Sequence, residues 1–368
     1  MSVPRTDVLV IGAGVIGAAI ADAVAARGRE VVVLERAQVG SAASAGAAGL
    51  LAPLVEAPGP GPFLDLALAG RALFRDEAAA LARETGIDVG YRESGTLRIA
   101  DSDGVMNDLR ARVSWERELG LDVRWIDARE LKSLEPHLRD GITGALFSAD
   151  DHQVTSGPLT HALARRASSR GAAIVEGLGV ERLLRVDDRV VGVRTSAGEE
   201  YRARHIVLAA GPWSGALATG VPVRPMKGQL VHLRLQRDIV RHPVFADDVY
   251  VTTKADGRVV VGATVEDVGF DWAPREAATR ELLGHAYALV PGLRDATIEG
   301  AWAGLRPASI DGLPILGTRP DLRGLVFATG HFRNGLLLSL ITGRIVAALV
   351  SDEPPPVDIS AFSPARFA

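Results

Sequence analysis

The stretch Thr6 to Arg36, TDVLVIGAGVIGAAIADAVAARGREVVVLER, decides the fold. An apolar run from Val8 to Ile11 breaks at Gly12-Ala13-Gly14-Val15-Ile16-Gly17. An alanine-rich amphipathic segment follows to Gly28, and a second apolar run, Val31 to Leu34, is closed by Glu35. This reads as strand, glycine turn, helix, strand. Gly12 permits the tight turn, Gly14 lets a pyrophosphate reach backbone that a side chain would block, and Gly17 lets the helix pack close to the strand. The helix N-terminus offers free N–H groups and the positive end of its dipole to phosphate. Glu35, 18 residues past the last glycine, is placed to accept hydrogen bonds from a ribose. Glycines at this spacing arise by chance in Gly/Ala-rich segments; a strand before them, a helix after them and an acid at that remove make the reading a dinucleotide site. Only Arg5 precedes the apolar run and Asp7 interrupts its approach, so the stretch does not read as a signal peptide.

With 368 residues, 47% hydrophobic and 23% charged, the chain has material for two domains or one large one and for a sizeable core. Its net charge is −4 and it has no Lys/Arg run of the kind that tracks phosphates, so neither nucleic acid nor an anionic membrane is an expected partner. The absence of cysteine excludes disulfides, thiolate catalysis, Cys-ligated metals and a cysteine-linked flavin. Eight histidines are scattered with no HxxxH or HxH pair, so no metal is expected. The most apolar late segment, 335–350, is 16 residues long and contains Arg344, short of the roughly 20 that a span needs. A cytoplasmic protein is expected.

After Glu35 the chain does not continue into another regular αβ unit. Residues 40–52, GSAASAGAAGLLA, form a loop of small residues able to follow a cofactor closely, with Ser44 offering hydroxyl and backbone to phosphate. APGPGP at 57–62 is a break, and apolar spacing predicts one long helix from Phe63 to about Glu84. Residues 89–100 alternate like a strand, 102–119 looks helical, DVRWI is a strand and ARELKSLEP a short helix stopped by Pro136. After a helix and strand comes a β-meander that ends in the buried strand Ile206–Ala209 and Gly211, a second approach to the cofactor. MKGQLVHLRLQ and a hairpin turned at Ala255-Asp256-Gly257 are strand-rich, and 274–290 is helical up to Pro291. The expected domains are therefore discontinuous. A nucleotide-binding domain takes 1–87, 148–222 and 301–368, and a substrate domain takes 88–147 and 223–300.

Arg306 lies in an apolar, Pro/Gly-rich stretch between Trp302 and Pro314, where a guanidinium needs an anion. A small carboxylate and an internal pair with Glu299 or Asp311 are equal alternatives. Arg333, in GHFRNG at the entry to the final helix, is either a polar cap or part of a run of N–H groups facing an electron-rich ring edge. Tyr250 is core packing or a hydroxyl donor to a ligand. GPWSG at 211–215 places its serine one position too late for a nucleophile elbow. Asp150, Asp151 and His152 read as a solvated loop, and Leu336 to Leu338 as core.

VIGAGVIG with Glu35, SAGAAGLLAP, GIDVGYRESGTL, QVTSGPLTHAL, VVGVRTSAGE, VLAAGPWSG, GRVVVGATVEDVGFD, WAGLRPASIDGLPILG and ATGHFRNGLLL occur in that order over nearly the whole length. Together they resemble the FAD-dependent D-amino acid oxidase superfamily, and within it the glycine oxidases of the bacterial thiamine pathway. The resemblance implies an α/β Rossmann-type FAD domain beside an α+β substrate domain with a mixed, largely antiparallel sheet. It implies non-covalent FAD held by Val15, Ile16, Glu35, Arg36, Ala43, Ser44, Ala48, Gly49, Leu50 and the Val180 backbone, and by His331, Phe332, Arg333, Asn334, Gly335, Leu336 and Leu337 beside the isoalloxazine. Arg306 would grip the substrate carboxylate with help from Tyr250, Arg333 would line the site, and Ala52 and Val55 would set pocket size. The implied reaction takes a small amino acid, glycine first, to its imine by hydride transfer to flavin N5, with O2 reduced to hydrogen peroxide. A sarcosine or D-amino acid oxidase, a quinone-linked dehydrogenase, or a flavoprotein subunit of an amine-oxidising complex are the alternatives. A thiazole synthase is an implied partner, and a homotetramer or dimer the implied assembly. The chain departs from the pattern at Val251-Thr252-Thr253-Lys254, where Pro-Arg is usual, at Asp248, where some have histidine, and at Leu338-Ser339-Leu340, in place of Ala-Pro. These departures bear on substrate preference more than on FAD binding.

Overall fold

The computed structural model describes residues 5–218, 220–236 and 239–367. The opening unit forms as its pattern requires: β1 (Arg5–Ile11), α1 (Val15–Ala25) and β2 (Val31–Leu34), with β1 and β2 parallel and Val8 opposite Val31. β1 is also paired in parallel with Glu200–Leu208, which in turn pairs in parallel with Leu325–Thr329. Ile315–Thr318 and Ala173–Val175 form the two edges, and a hairpin, Val180–Val186 with Arg189–Thr195, extends from Glu200–Leu208. Such buried parallel strands carry apolar runs rather than alternation, and Val8 to Ile11 and Ile206 to Leu208 are buried throughout.

The alanine-rich sequence of α1 has a packing cause. The helix is wedged between the sheet, the helix Ser156–Ser169 and the final helix Ser339–Leu349, and nine of its eleven residues are buried. Gly343 of the final helix passes so close that a Cβ there would stand 2.6 Å from the Ala19 carbonyl. Asp22, buried on the same helix, is held by Arg166 in two hydrogen bonds of 3.0 and 2.7 Å and by Arg170 at 2.9 Å. Arg166 also reaches Glu77 at 2.8 Å, so a compensated charge network clamps three helices.

The second sheet has eight strands in the order Thr297–Ser309, Val223–Arg234, Arg258–Gly262, Tyr250–Thr253, Val244–Phe245, Thr96–Ala100, Gly144–Ser148 and Val123–Asp127. All neighbours are antiparallel except Val244–Phe245 with Thr96–Ala100. The helix Glu276–Leu289 packs on its outer face through Leu282, Leu283, Ala286 and Leu289. Where the two sheets meet, the cofactor-side loop crosses the last strand: a Cβ on Gly46 would lie 3.0 Å from the Gly304 Cα, and one on Gly304 would lie 3.3 Å from the Gly46 Cα.

Four expectations change. The strand Thr297–Ser309 stays paired with Val223–Arg234 as far as Ser309, so residues 301–309 extend the second sheet and the chain rejoins the first at Ile315. The Gly/Pro content of WAGLRP conceals this strand. The helix expected over 63–84 is two, Pro62–Ala72 and Phe74–Thr85. They part at Leu73, whose N–H bonds the Gly70 carbonyl, just where Gly70 lies against the Leu337 carbonyl. Of 89–100 only Thr96–Ala100 is regular strand, because Gly90 and Gly95 take left-handed φ values of 63° and 64°. Asp151 and His152 are buried rather than solvated. Asp151 accepts from Thr96 Oγ1 at 2.9 Å and Arg71 at 3.4 Å, and His152–Gln153 pairs with Leu50–Leu51.

Burial pushes the Asp151 carboxyl up to about 7. The native protein therefore holds a proton that the unfolded chain releases near pH 4, and stability falls as pH rises through the window from about 4 to 7. Asp151→Asn should remove a slope of up to about 1.4 kcal/mol per pH unit there. Urea midpoints at pH 5 and 8 should show the variant gaining on the parent toward the higher pH; parallel curves would refute this.

Candidate active site

A continuous cavity of about 650 Å³ runs from the C-terminal ends of β1 and β2 to the inner face of the second sheet, a size typical of cofactor and small-molecule sites. At its first end Gly12 turns with φ 100°, and a Cβ there would lie 2.6 Å from the Ala209 carbonyl. Gly17 lies directly against the Gly12 carbonyl, so it shapes the turn without lining the cavity. Val15 N–H donates to Ser44 Oγ at 2.9 Å. The amides of Gly14 and Ile16, both on the cavity wall, have no partner among the described residues. Two unpaired N–H donors at the positive end of a helix, beside a residue with no side chain, fit a pyrophosphate. Glu35 is fixed at the mouth of the turn, Oε2 accepting from Ala13 N–H at 2.8 Å and Oε1 from Ala37 N–H at 2.9 Å. Lone pairs remain on both oxygens for ribose hydroxyls.

Ala43, Ala48, Gly49 and Leu50 continue the wall on one side, Val180 and Gly211 on the other. Arg36 also lines the cavity, its guanidinium 3.6 Å from the centre of the Trp213 ring. Ser214, next to that tryptophan, shares a 2.7 Å hydrogen bond with Thr329 and is buried, so GPWSG carries no exposed nucleophile. Lys254, legible in sequence only as a departure, donates to the Ala48 carbonyl at 2.7 Å and to Gln153 Oε1 at 2.9 Å. It ties the cofactor-side loop to the second sheet, and burial draws its pKa down to about 7.

At the other end Arg306 donates to the carbonyls of Thr264 at 3.0 Å and Lys227 at 3.4 Å. It meets no carboxylate among the described residues. Glu299 pairs with Arg234, and Asp311 with Arg366 at 2.7 Å, so the internal-pair alternative falls. The guanidinium occupies the space a Cβ on Gly228 would take. Tyr250 likewise lies over Gly262, and burial pushes its hydroxyl well above its usual range, keeping it a donor. Burial lowers the pKa of Arg306, and a bound carboxylate would offset that loss of hydration.

The run from His331 to Leu336 lines the cavity, with Phe332 held at φ 48°, an unusual conformation for a large side chain. Burial lowers His331 to about 3, and it hydrogen-bonds Thr342 at 3.1 Å, so it is a neutral structural group. Arg333 is exposed and paired with Glu56 at 2.6 Å. Val55 lines the cavity, whereas Ala52 and Leu337 are buried outside its wall. Glu56, Arg98 and Trp213 belong to the cavity but escaped the sequence reading; Arg98 alternates inward along a strand and was legible by periodicity.

A dinucleotide cradle opening along one cavity onto a buried guanidinium defines an oxidoreductase that holds its cofactor beside a small-molecule pocket. Residues 7–349 match the family model described as FAD dependent oxidoreductase, DAO. The chain belongs to this family, and FAD is its cofactor. It is 36% identical to the glycine oxidase of Geobacillus kaustophilus over 98% of this chain and 97% of that one. The crystal structure of glycine oxidase from that organism superposes with a TM-score of 0.94, covering 98% of each chain. The bifunctional protein ThiO/ThiG of Synechocystis is also 36% identical, over 98% of this chain and 54% of that protein. Among the described residues no helix is long and apolar enough to cross a membrane, and no cluster of metal-binding side chains occurs.

Gly228→Ala should displace Arg306 and lower kcat/KM by about 10- to 100-fold, since small misplacements in a reacting complex have that effect. Bound flavin per chain should stay at the parental level. Wild-type kinetics in this variant would show that the arginine's position is not set by Gly228.

Proposed function

We propose that this protein is a glycine oxidase, taking glycine and other small amines such as sarcosine and small D-amino acids to the imine and reducing O2 to hydrogen peroxide. The observation that carries this reading is Arg306: a guanidinium aimed into the cavity, held by two backbone carbonyls and lacking a carboxylate. Its fork matches a substrate carboxylate, and the Tyr250 hydroxyl adds a donor beside it. When bound, FAD supplies the hydride acceptor and passes the electrons on to oxygen. The chain's own groups position and polarise: Arg306 and Tyr250 fix the carboxylate so that the α C–H is presented along the cavity, and the His331–Leu336 run forms the wall behind. No side chain is required as a base once the amine is neutral, in keeping with the neutral His331. Residues 88–147 and 223–309 act as the substrate domain and the rest as the cofactor domain.

The fusion of a matching segment with a second unit in ThiO/ThiG supports a role in supplying thiazole formation, with a thiazole synthase as partner. We place the protein in the cytoplasm as a homotetramer or dimer.

Anaerobic mixing with glycine, sarcosine, D-alanine and D-proline should bleach the visible flavin band, glycine included, and air should restore it with formation of peroxide. Bleaching by other amines alone would move the substrate; a lack of reoxidation by air would make the enzyme a dehydrogenase. Arg306→Ala should cost on the order of 2–5 kcal/mol in kcat/KM with flavin spectra intact, and Arg306→Lys should recover little because one ammonium cannot form the fork. Unchanged kcat/KM in the alanine variant would remove the substrate pose.

A further inference from the structure

Arg98 stands on the strand Thr96–Ala100 with its side chain lining the cavity. The register places Arg98 beside Phe245, Phe245 beside Tyr250, Tyr250 beside Gly262, and Gly262 beside Leu230. All five line the cavity, so one row across the sheet forms its floor, because residues directly opposite one another share a face. Arg98 closes this row two strands from Tyr250, about 10 Å at the backbone.

Among the described residues the Arg98 side chain has no hydrogen bond and no ion pair. The carboxylates around it lie beyond ion-pair distance. Glu116, on the helix Asp103–Glu118 that packs over the same face, is held by Arg112 at 2.9 Å through one oxygen, and its other oxygen has no hydrogen-bond partner but stands beyond ion-pair distance of Arg98. Glu56, on the short helix Pro53–Glu56, is held by Arg333 at 2.6 Å. Asp247 is exposed and lies beyond ion-pair distance. A part-buried guanidinium with five unused donors is costly, and burial already holds its pKa below the ordinary value. The substrate end thus carries two guanidinium groups without an ion pair among the described residues, Arg306 and Arg98, although the carboxylates of Glu56, Asp247 and Asp248 stand on the same cavity wall, and the carboxylate of glycine pairs with only one of them.

We propose that Arg98 is a second anion anchor in the substrate cavity, and that the enzyme accepts amino acids bearing a second carboxylate as well as glycine. This rests on the amine-oxidase reading above and names a substrate class for that site. With the α-carboxylate on Arg306, the second anionic group reaches Arg98 along the Tyr250–Phe245 row, on a short arm from the amine nitrogen or from the α-carbon.

The test uses holoenzyme, parent, Arg98→Met and Arg98→Lys, with glycine, N-(carboxymethyl)glycine and D-aspartate. Binding is followed under anaerobic conditions by perturbation of the flavin spectrum, and turnover by kcat and KM. In Arg98→Met, affinity for at least one dicarboxylate should fall by about 30-fold or more, the lower end for truncating a desolvated charge pair, while glycine changes far less; Arg98→Lys should keep part of the affinity. Which dicarboxylate responds tells whether the arm leaves nitrogen or carbon. An equal loss for glycine and both dicarboxylates, or no binding of either dicarboxylate to the parent, would overturn the proposal. Arg98-dependent binding of a dicarboxylate without oxidation of glycine would uphold the anchor and count against the glycine oxidase reading alone.

Discussion

The approach of Gly46 to Gly304 sets how far apart the two sheets can stand. No side chain intervenes, so the loop that follows the cofactor lies on the strand that carries Arg306 two residues later. The partner of Gly304 in the sheet is Gly228, which leaves the space the Arg306 guanidinium fills. Three glycines on adjoining backbones therefore decide the depth of the cavity. A methyl group at the crossing would displace backbone rather than a flexible side chain, which is costly in a close-packed interior. The Lys254 ammonium reinforces the same junction from the other side of the loop, through the Ala48 carbonyl.

The charges of the molecule fall into two kinds. Around α1 the network of Asp22, Glu77, Arg166 and Arg170 is mutually compensated, and its burial is offset by short, paired hydrogen bonds. In the cavity the pattern is opposite: Arg306 rests on carbonyl oxygens, and Arg98 on none. Paired charge holds the frame, while these two guanidinium groups stand on the cavity wall without an ion pair among the described residues. Arg333 is intermediate, since it pairs with Glu56 at the end of the short helix Pro53–Glu56, both residues standing on the cavity wall.

The nucleotide half of the fold was legible because its signals are local. Gly12, Gly14 and Gly17 each carry a separate steric reason, and parallel strands announce themselves as apolar runs. The substrate half was less so. Residues 301–309 read as a return to the first sheet because Gly304 and Pro307 look like turn residues, whereas each faces a partner backbone on a neighbouring strand that accommodates it. The surroundings of Arg306 could not be chosen from sequence, since its neighbours Thr264 and Lys227 lie 42 and 79 positions away. Glu56 was missed for the same reason, its partner standing 277 residues further on. Asp151 was misjudged because a run of polar residues was equated with solvent exposure, when Arg71 and Thr96 provide for it indoors.

The interleaving of the two sheets along the chain bears on how the molecule is made. β1 and its partner Glu200–Leu208 are roughly 200 residues apart in the chain, a wait of about 10 to 40 s at ordinary rates of synthesis. The last parallel strand, Leu325–Thr329, comes later still. Until Glu200–Leu208 is made, β1 has β2 as its one strand partner, with α1, the helix Ser156–Ser169 and the edge strand Ala173–Val175 joining as they emerge. The first sheet thus closes only after most of the second sheet has been made, and neither half can be cut out as one continuous gene segment.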